Sequence, residues 1–436
     1  MKLQAGMAIE DISPRKPLPL VGYPHVERIL TGINDPLLAS ALYLENDSEA
    51  LMMIAVDILF LNSKTICEIR KKIATTTVLK ESNILISCTH THSGPETLSR
   101  AWKTGIIDVE YMDLLKENIV KAGVKAATAK KSAKLAVTSV NVSGVGCNRH
   151  DPEGPRDPEV AIIAIRDAAT DKLTAVSLVY SMHPTVMHED STLVSSDFPG
   201  YTREYLKQEF GQNLTIMYHN GPEGNQSPRY HVKGQTFAEA ERLGNILGKA
   251  VAGKINTLTD EDFSDNFPLA IAGTNIIVKR RTFPSVVDAE KNLEFRRNEF
   301  ARLKAEHAGH GPIRTAECSV FGAESTLDLA KLSADGSLEK SFAANPEAEI
   351  QVMQISDAYF VGIPGEIFVE YSLNLKSRSP KKTFAIGLAN GELQGYVVTE
   401  DADGYEADNT TVLPETGVII INEALELINK IGVVIN

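Results

Sequence analysis

Short apolar runs, each followed by a polar or Gly/Pro-rich loop, recur along the 436-residue chain and most constrain its fold. Such continuous apolar runs are typical of strands buried on both faces, and sheets of that kind need helices outside them. The predicted strands are residues 51–55, 84–88, 175–180, 214–218, 359–363 and 384–388. The predicted helices are residues 63–75, 109–127, 200–210 and 236–252. The pattern predicts an α/β fold with mixed β-sheets, helices packed outside, and the active site at strand ends.

One stretch differs in composition from the rest. Residues 286–308 are rich in charge and carry Leu293 and Phe300 at helical spacing, with Ser285 as a predicted N-cap and Gly309 as a predicted stop. We interpret this stretch as a solvated amphipathic helix. It lies in a charged helical insertion at about 278–343, within one predicted domain that spans residues 1–436.

Composition excludes several classes of protein. Lys and Arg total 44 against 57 Asp and Glu, so the formal net charge is −13 and nucleic-acid binding is not expected. None of the four cysteines belongs to a CxxC pair, so we interpret them as reduced thiols. No apolar stretch reaches the roughly 20 residues of a membrane span. The amino terminus lacks a secretory pattern. We therefore expect a cytoplasmic protein; the alternative is a mature secreted chain whose leader has been removed.

Histidines and a carboxylate follow three of the predicted strands. His90 and His92 form a His-x-His pair after residues 84–88, and in an extended chain residues i and i+2 point the same way. His183 lies in SMHPT, and Glu366 lies in IPGEIF, where Gly365 permits a sharp turn. Each motif alone has an ordinary structural interpretation. Together, His, His and Glu are the nitrogen and oxygen ligands of a catalytic zinc with one open position. The spacing by itself does not bring His90, His183 and Glu366 together.

Four further residues carry two interpretations each. Ser227, in GNQSP, is either a nucleophile or a turn residue, and Arg149, in GCNRHDP, holds either an oxyanion or a surface ion pair. Asp57 follows a buried strand, where it either orients a zinc histidine or caps a neighbouring helix. His25 lies either in a loop that covers the site or, as we expect, on the surface.

These motifs resemble those of the neutral/alkaline ceramidase superfamily. The resemblance runs in order along nearly the whole chain, from AGMAIEDISP and TGINDPLLASAL through ISCTHTHSGP, GCNRHDP, SMHPT, GNQSP and IPGEIF to GYVVT and GYE. THTHSGP is the most specific of these segments. The family's β-sandwich domain, which follows the catalytic region, is not expected here.

The resemblance implies a role for each motif residue. One zinc ion per chain is bound by His90, His183, Glu366 and Tyr396. The implied catalytic residues are His92, Arg149, Ser227 and Tyr405. The implied activity is a zinc-dependent amidohydrolase that cleaves an N-acyl bond, as in ceramide to a sphingoid base and a fatty acid. Either water or Ser227 attacks the carbonyl.

Three hypotheses for the function stay open. The first is ceramidase activity on a lipid amide. The second is a related hydrolase for a more polar amide or ester, favoured by Asp197, Arg203, Asn220 and Arg229 as predicted lining of a polar pocket. The third is a member that binds metal or ligand without catalysis.

Overall fold

The computed structural model of the chain describes residues 2–23, 25–98, 107–344 and 346–435. Within these ranges the strands, in chain order, are β1 (Gln4–Asp11), β2 (Gly32–Ile33), β3 (Leu38–Glu45), β4 (Ala50–Val56), β5 (Ile84–Cys88), β6 (Lys131–Asn141), β7 (Cys147–Asn148), β8 (Glu159–Asp167), β9 (Leu173–Tyr180), β10 (Leu193–Val194), β11 (Thr215–Asn220), β12 (Gln226–Ser227), β13 (Leu269–Ile277), β14 (Glu347–Ile355), β15 (Ala358–Gly362), β16 (Glu366–Ile367), β17 (Lys382–Ile386) and β18 (Tyr396–Val397). The helices are α1 (Ser63–Thr76), α2 (Val109–Thr128), α3 (Phe198–Phe210), α4 (Phe237–Ile255), α5 (Val286–Ala305), α6 (His310–Ala334), α7 (Ser337–Ala344), α8 (Val369–Arg378), α9 (Tyr405–Asp408) and α10 (Glu415–Ile435). The strands and helices predicted from the sequence are confirmed, with ends shifted by at most three residues.

Two large mixed sheets form the centre of the fold. The first has eight strands in the order β11-β9-β8-β6-β1-β3-β4-β5, and the second has four in the order β13-β14-β15-β17. The pairs β9·β11, β4·β5 and β15·β17 are parallel, and the remaining pairs in the two sheets are antiparallel. A parallel pair brings the loops after both of its strands to the same edge, which is where the predicted site residues lie.

The side chains of β4 explain why this strand is apolar throughout. Met52, Ile54 and Val56 pack in a cluster with α1 and α2, whereas Leu51 and Met53 pack in a cluster with the second sheet. The two sheets therefore stack face to face. The outer faces are covered by α1–α4 on the first sheet and by α8 and α10 on the second. Burial of each large aliphatic side chain contributes roughly 1.5–3 kcal/mol to the stability of the fold, so the side chains on both faces of β4 stabilise it.

Three of the long helices begin with a side-chain N-cap. Asn62, Asp108 and Thr236 each accept a hydrogen bond from a backbone N–H in the first turn of α1, α2 and α4. Among the described helices, none combines the length and apolar composition that crossing a bilayer requires.

The predicted charged insertion at about 278–343 contains a pair of packed helices. Ser285 caps α5, as predicted, because its side chain accepts from the N–H of Asp288. The predicted stop at Gly309 is wrong: α5 ends at Ala305, and Gly309 instead precedes α6. Leu293 and Phe300 of α5 pack against a small apolar face of α6. That this stretch is an insertion in a single domain stays a prediction.

Asp57 forms a buried ion pair with Arg203 of α3. The Asp57 carboxylate accepts from Arg203 Nη1 and Nη2 at 3.2 and 2.6 Å, from the Leu38 N–H at 3.0 Å and from Ser196 Oγ at 3.1 Å. Both side chains are almost fully buried. These contacts involve neither a histidine nor a helix N-terminus, so both interpretations of Asp57 are wrong. The pair ties the end of β4 to α3.

Substitution of Asp57 by Asn should destabilise the fold strongly, because it leaves Arg203 buried without a counter-charge. We expect the free energy of unfolding in urea to fall by about 3–5 kcal/mol. The matched control is Glu306→Gln on α5, which breaks the ion pair to Arg302 between two side chains that are about half exposed. That control should leave the unfolding midpoint unchanged. An equal effect of the two substitutions would contradict the assignment.

Candidate metal centre

His90, His183 and Glu366 meet at one buried point above the carboxyl ends of β5 and β9. Glu366 Oε2 lies 3.2 Å from His90 Nε2 and 3.3 Å from His183 Nε2. All three residues are at most 3% exposed. Loops that are distant in the sequence therefore bring the three predicted ligands together.

Backbone carbonyls fix the orientation of both imidazoles. His90 Nδ1 lies 3.1 Å from the oxygen of Leu59, and His183 Nδ1 lies 2.8 Å from that of Glu223. A carbonyl oxygen only accepts, so Nδ1 is a donor in each ring. Burial and, to a lesser degree, the charge of Arg149 lower the pKa of His183 to about 4. Two imidazole Nε2 atoms therefore face one carboxylate oxygen, and these are atom types that a cation such as zinc binds.

The backbone conformation of His90 differs from the sequence interpretation. His90 has φ of 68°, in the left-handed region, so the His-x-His pair is not extended and the i, i+2 argument is wrong for it. Hydrogen bonds hold the strained residue, because the N–H groups of Thr89 and His90 donate to the oxygens of Val56 and Ile58. The rings of His90 and His92 nevertheless lie 5.0 Å apart. The two histidines share one site because of this turn.

Glu366 and Tyr396 are neighbours in a short parallel ladder. Strand β16 pairs with β18 so that Glu366 lies opposite Tyr396. Gly365 has φ of 78° before the ladder and supplies the sharp turn that the sequence indicated. The helix that follows, α8, begins at Val369. Burial, together with Glu366, raises the pKa of Tyr396. That Tyr396 is a zinc ligand stays a prediction.

His92 has a distinct environment beside the cluster. Its ring lies 5.8 Å from that of His183 and packs on the ring of Tyr23 at 5.1 Å. Neither ring nitrogen has a hydrogen-bond partner among the described residues. Burial, together with His90 and His183, holds the pKa of His92 well below its usual range. A Cβ at Gly22 would lie 2.6 Å from His92 Cγ, so this close approach requires glycine.

Arg149 is held by a carboxylate that the sequence analysis missed. Its Nε donates to Glu406, and its Nη2 donates to the oxygen of Gly224 at 2.8 Å. The guanidinium carbon lies 5.4 Å from the ring centre of Tyr396 and 5.8 Å from that of Tyr405. Glu406 lies next to Tyr405 in the GYE segment, so the motif contained it without marking it as a partner. The contact of Arg149 with a reacting group stays a prediction.

The four predicted catalytic residues line one small cavity. Ser227 lies in β12, which pairs with β7 and so brings the Ser227 loop beside the Arg149 loop. A cavity of about 60 Å³ is lined by His92, Arg149, Ser227, Tyr405 and also Tyr396. The sequence therefore identified a set of side chains that share one space, although their roles stay predictions.

A larger cavity of about 540 Å³ reaches His90, His92, Glu366, Tyr396 and Tyr405 from outside. One wall is α6, through Phe321, Glu324, Ser325 and Asp328. The ring of His25 stacks on that of Phe321 at 3.6 Å. The expectation of a surface His25 is therefore wrong, since its loop covers the site. This wall belongs to the predicted insertion at about 278–343 but lies beyond residues 286–308, which we interpreted as a solvated helix.

The predicted polar lining is mostly absent from this site. Arg203 is paired with Asp57, Asp197 caps α3, and Asn220 bonds to the backbone of Met182 and Thr89. Of this group, only Arg229 lines the small cavity. Three of the four polar residues therefore have structural roles in the described part of the chain.

Glu223 is a further carboxylate that the sequence analysis missed. It is fully buried, and it offers an oxygen within 4.8 Å of the ligand atoms of His90 and Glu366. Burial, with the nearby Glu366, raises the pKa of Glu223. The only sequence signal was its place in the GPEGNQSP loop before Ser227.

Comparisons with known proteins agree on one family. The sequence model described as neutral/alkaline non-lysosomal ceramidase, N-terminal, matches residues 3–227. Neutral ceramidases A and B of Dictyostelium discoideum are 25% and 26% identical over 50% and 45% of this chain. These matches cover 34% and 30% of the two relatives, so the chain spans about a third of their length. The neutral ceramidase of Pseudomonas aeruginosa is 22% identical over 91% of this chain and 67% of its own.

Solved structures support the same fold. The crystal structure of the Pseudomonas aeruginosa neutral ceramidase matches with a TM-score of 0.77 and 17% identity, over 98% of this chain and 74% of that one. A ceramidase complexed with C2 matches with a TM-score of 0.76 over 98% of this chain and 75% of its own. At this identity the likeness establishes the fold alone.

Glu406 should stabilise the fold in a pH-dependent way. Burial raises its pKa, but Arg149 and His150 outweigh burial and lower the pKa to about 2. The unfolded value is about 4.3, so the ionised form stabilises the fold above about pH 4 and the contribution is lost between about pH 4 and pH 2. The difference in unfolding free energy between wild type and Glu406→Gln should therefore shrink when urea titrations are repeated from about pH 6 down to about pH 3. A difference that stays constant over this range would refute the assignment.

Proposed function

This chain belongs to the neutral/alkaline non-lysosomal ceramidase family, whose model matches residues 3–227, and on that premise we propose that it is a zinc-dependent amidohydrolase that cleaves the N-acyl bond of a ceramide-like lipid amide. The observation that carries the proposal is the cluster of His90, His183 and Glu366, of which His90 and Glu366 line the larger cavity. Two imidazoles and one carboxylate are ligands that zinc prefers. When bound, zinc supplies Lewis acidity and lowers the pKa of water towards neutrality.

The residues around the centre support the steps of amide hydrolysis. His92 lies beside the predicted ligand His90, and neither of its ring nitrogens has a hydrogen-bond partner among the described residues, so a ring nitrogen is available to take a proton from the attacking group and return it to the leaving amine. Arg149 lies at the same cavity and is a donor for a developing oxyanion, whereas Tyr396 would complete the zinc ligands. This electrostatic contribution is usually the largest in acyl transfer.

The contacts of Ser227 favour water, and not the Ser227 hydroxyl, as the group that attacks the amide carbonyl. Ser227 Oγ accepts from the N–H of Arg229 at 3.2 Å, and among the described residues no histidine or carboxylate accepts its proton. A serine nucleophile needs such a base. We therefore assign Ser227 to contact with the substrate or the water, and the acyl-enzyme route becomes the alternative.

The side chains that line the larger cavity indicate which class of substrate it would bind. Leu20, Val21, Phe60 and Phe321 provide an apolar surface for an acyl or sphingoid chain. A second candidate function is hydrolysis of a more polar amide or ester. It is favoured by acidic side chains in the same walls, which are Glu27, Glu96, Glu324 and Asp328.

Metal content tests the proposed centre directly. We expect about one zinc per chain in the purified wild type by elemental mass spectrometry, and its loss in His90→Ala and Glu366→Ala, because each removes a ligand. Hydrolysis should fall by more than about 100-fold in both variants. The matched control is His231→Ala, which alters a half-buried histidine whose backbone N–H bonds to Pro228. A wild type that binds no metal when zinc is supplied would overturn the proposal.

A substrate series separates the two candidate functions. Short-chain and long-chain ceramides should be hydrolysed with higher kcat/KM than water-soluble N-acyl amino acids and N-acyl sugars, because the apolar wall contributes to transition-state binding. Chelator should abolish the activity, and zinc should restore it. Preference for the water-soluble amides would favour the second candidate. Bound zinc without turnover of either class would instead favour a non-catalytic member.

A further inference from the structure

The carboxylate of Glu223 has no described partner although it is fully buried. Its relative exposure is 0%, and neither Oε1 nor Oε2 makes a hydrogen bond within the part of the chain that the structure describes. A buried ionised carboxylate without a partner is strongly unfavourable. The side chain therefore requires either a proton of its own or a cation close by.

The geometry places a cation within reach of this carboxylate. The ligand atoms of His90, Glu223 and Glu366 all lie within 4.8 Å of one another. Two ligand atoms of a tetrahedral ion at about 2.1 Å lie roughly 3.4 Å apart, so a side-chain movement of at most roughly 1.4 Å completes the contact. We propose that Glu223 is a ligand of the metal, so that a second carboxylate joins His90, His183 and Glu366.

The backbone around Glu223 holds it against the centre. The Glu223 carbonyl accepts from His183 Nδ1 at 2.8 Å, so one residue orients a ligand histidine and also offers its own carboxylate. The N–H of Gly224 donates to the oxygen of Ile367 at 3.0 Å, which ties the loop to β16 beside Glu366. A Cβ at Gly387 would lie 2.8 Å from Glu223 Oε2, so glycine is needed there for the carboxylate to fit.

Charge favours the same assignment. With Nδ1 protonated, His90 and His183 are neutral ligands, so Glu366 alone leaves a divalent ion with one uncompensated positive charge. A second carboxylate makes the buried centre neutral, which reduces the cost of placing the ion away from water. The inference rests on the proposed metal centre and adds a ligand that the motifs did not assign.

Zinc affinity of Glu223→Gln tests the assignment, because glutamine resembles a neutral carboxylic acid in shape and cannot replace a carboxylate in charge. Apo proteins would be titrated with zinc against a chromophoric chelator. We expect Glu223→Gln to weaken zinc binding by at least about 10-fold, as Glu366→Gln should. X-ray absorption should count one fewer oxygen ligand. The matched control is Glu370→Gln, which alters a carboxylate bonded to Asn225 of the same loop and should leave affinity unchanged.

Stability measurements distinguish ligation from a merely structural role. Without metal, Glu223→Gln should be at least as stable as wild type, because it removes a carboxylate next to Glu366. The rise in Tm on addition of zinc should be smaller than in wild type. Wild-type zinc affinity in Glu223→Gln would identify a protonated acid and overturn the inference while the proposed function stands. Absence of zinc binding in wild type would overturn both.

Discussion

The candidate centre depends on two hydrogen bonds between imidazole Nδ1 atoms and backbone carbonyls. The oxygens of Leu59 and Glu223 accept from Nδ1 of the two rings, so the Nε2 atoms of His90 and His183 face Glu366. Without these carbonyls each ring would be free to turn its N–H towards the carboxylate, and no cation would be needed. The loops that carry the carbonyls are in turn placed by the ends of β4 and β11.

The stacked sheets give this arrangement its rigidity. Strand ends from both sheets contribute to the site, because β5, β9 and β11 lie in the larger sheet and β15 and β17 in the smaller. The buried Asp57–Arg203 pair anchors the end of β4 to α3, and the β16·β18 ladder sets Glu366 beside Tyr396. A site that combines loops from two sheets stays ordered only while the interface between the sheets is packed.

Several side chains have roles that a linear sequence does not reveal. Glu223 and Glu406 are single acidic residues in loops that were already recognised, yet Glu223 lies beside Glu366 and Glu406 pairs with Arg149, both more than a hundred positions away. His25 was expected on the surface, yet its ring stacks on Phe321 of α6. The sequence placed α6 in a charged insertion but did not indicate that this helix lines the site. Each error concerns a contact between distant segments.

The sequence by itself determined the layered α/β architecture, because apolar runs of strand length and amphipathic helical stretches follow from local periodicity. It also determined the set of motif residues, since the resemblance assigned chemistry to His90, His183, Glu366, Ser227 and Arg149 one position at a time. Only the tertiary structure decided that two sheets stack and that Glu223 points into the centre. It also decided that α6 and the His25 loop enclose the cavity. Those features depend on packing between remote segments, and local sequence carries no information about the distance between them.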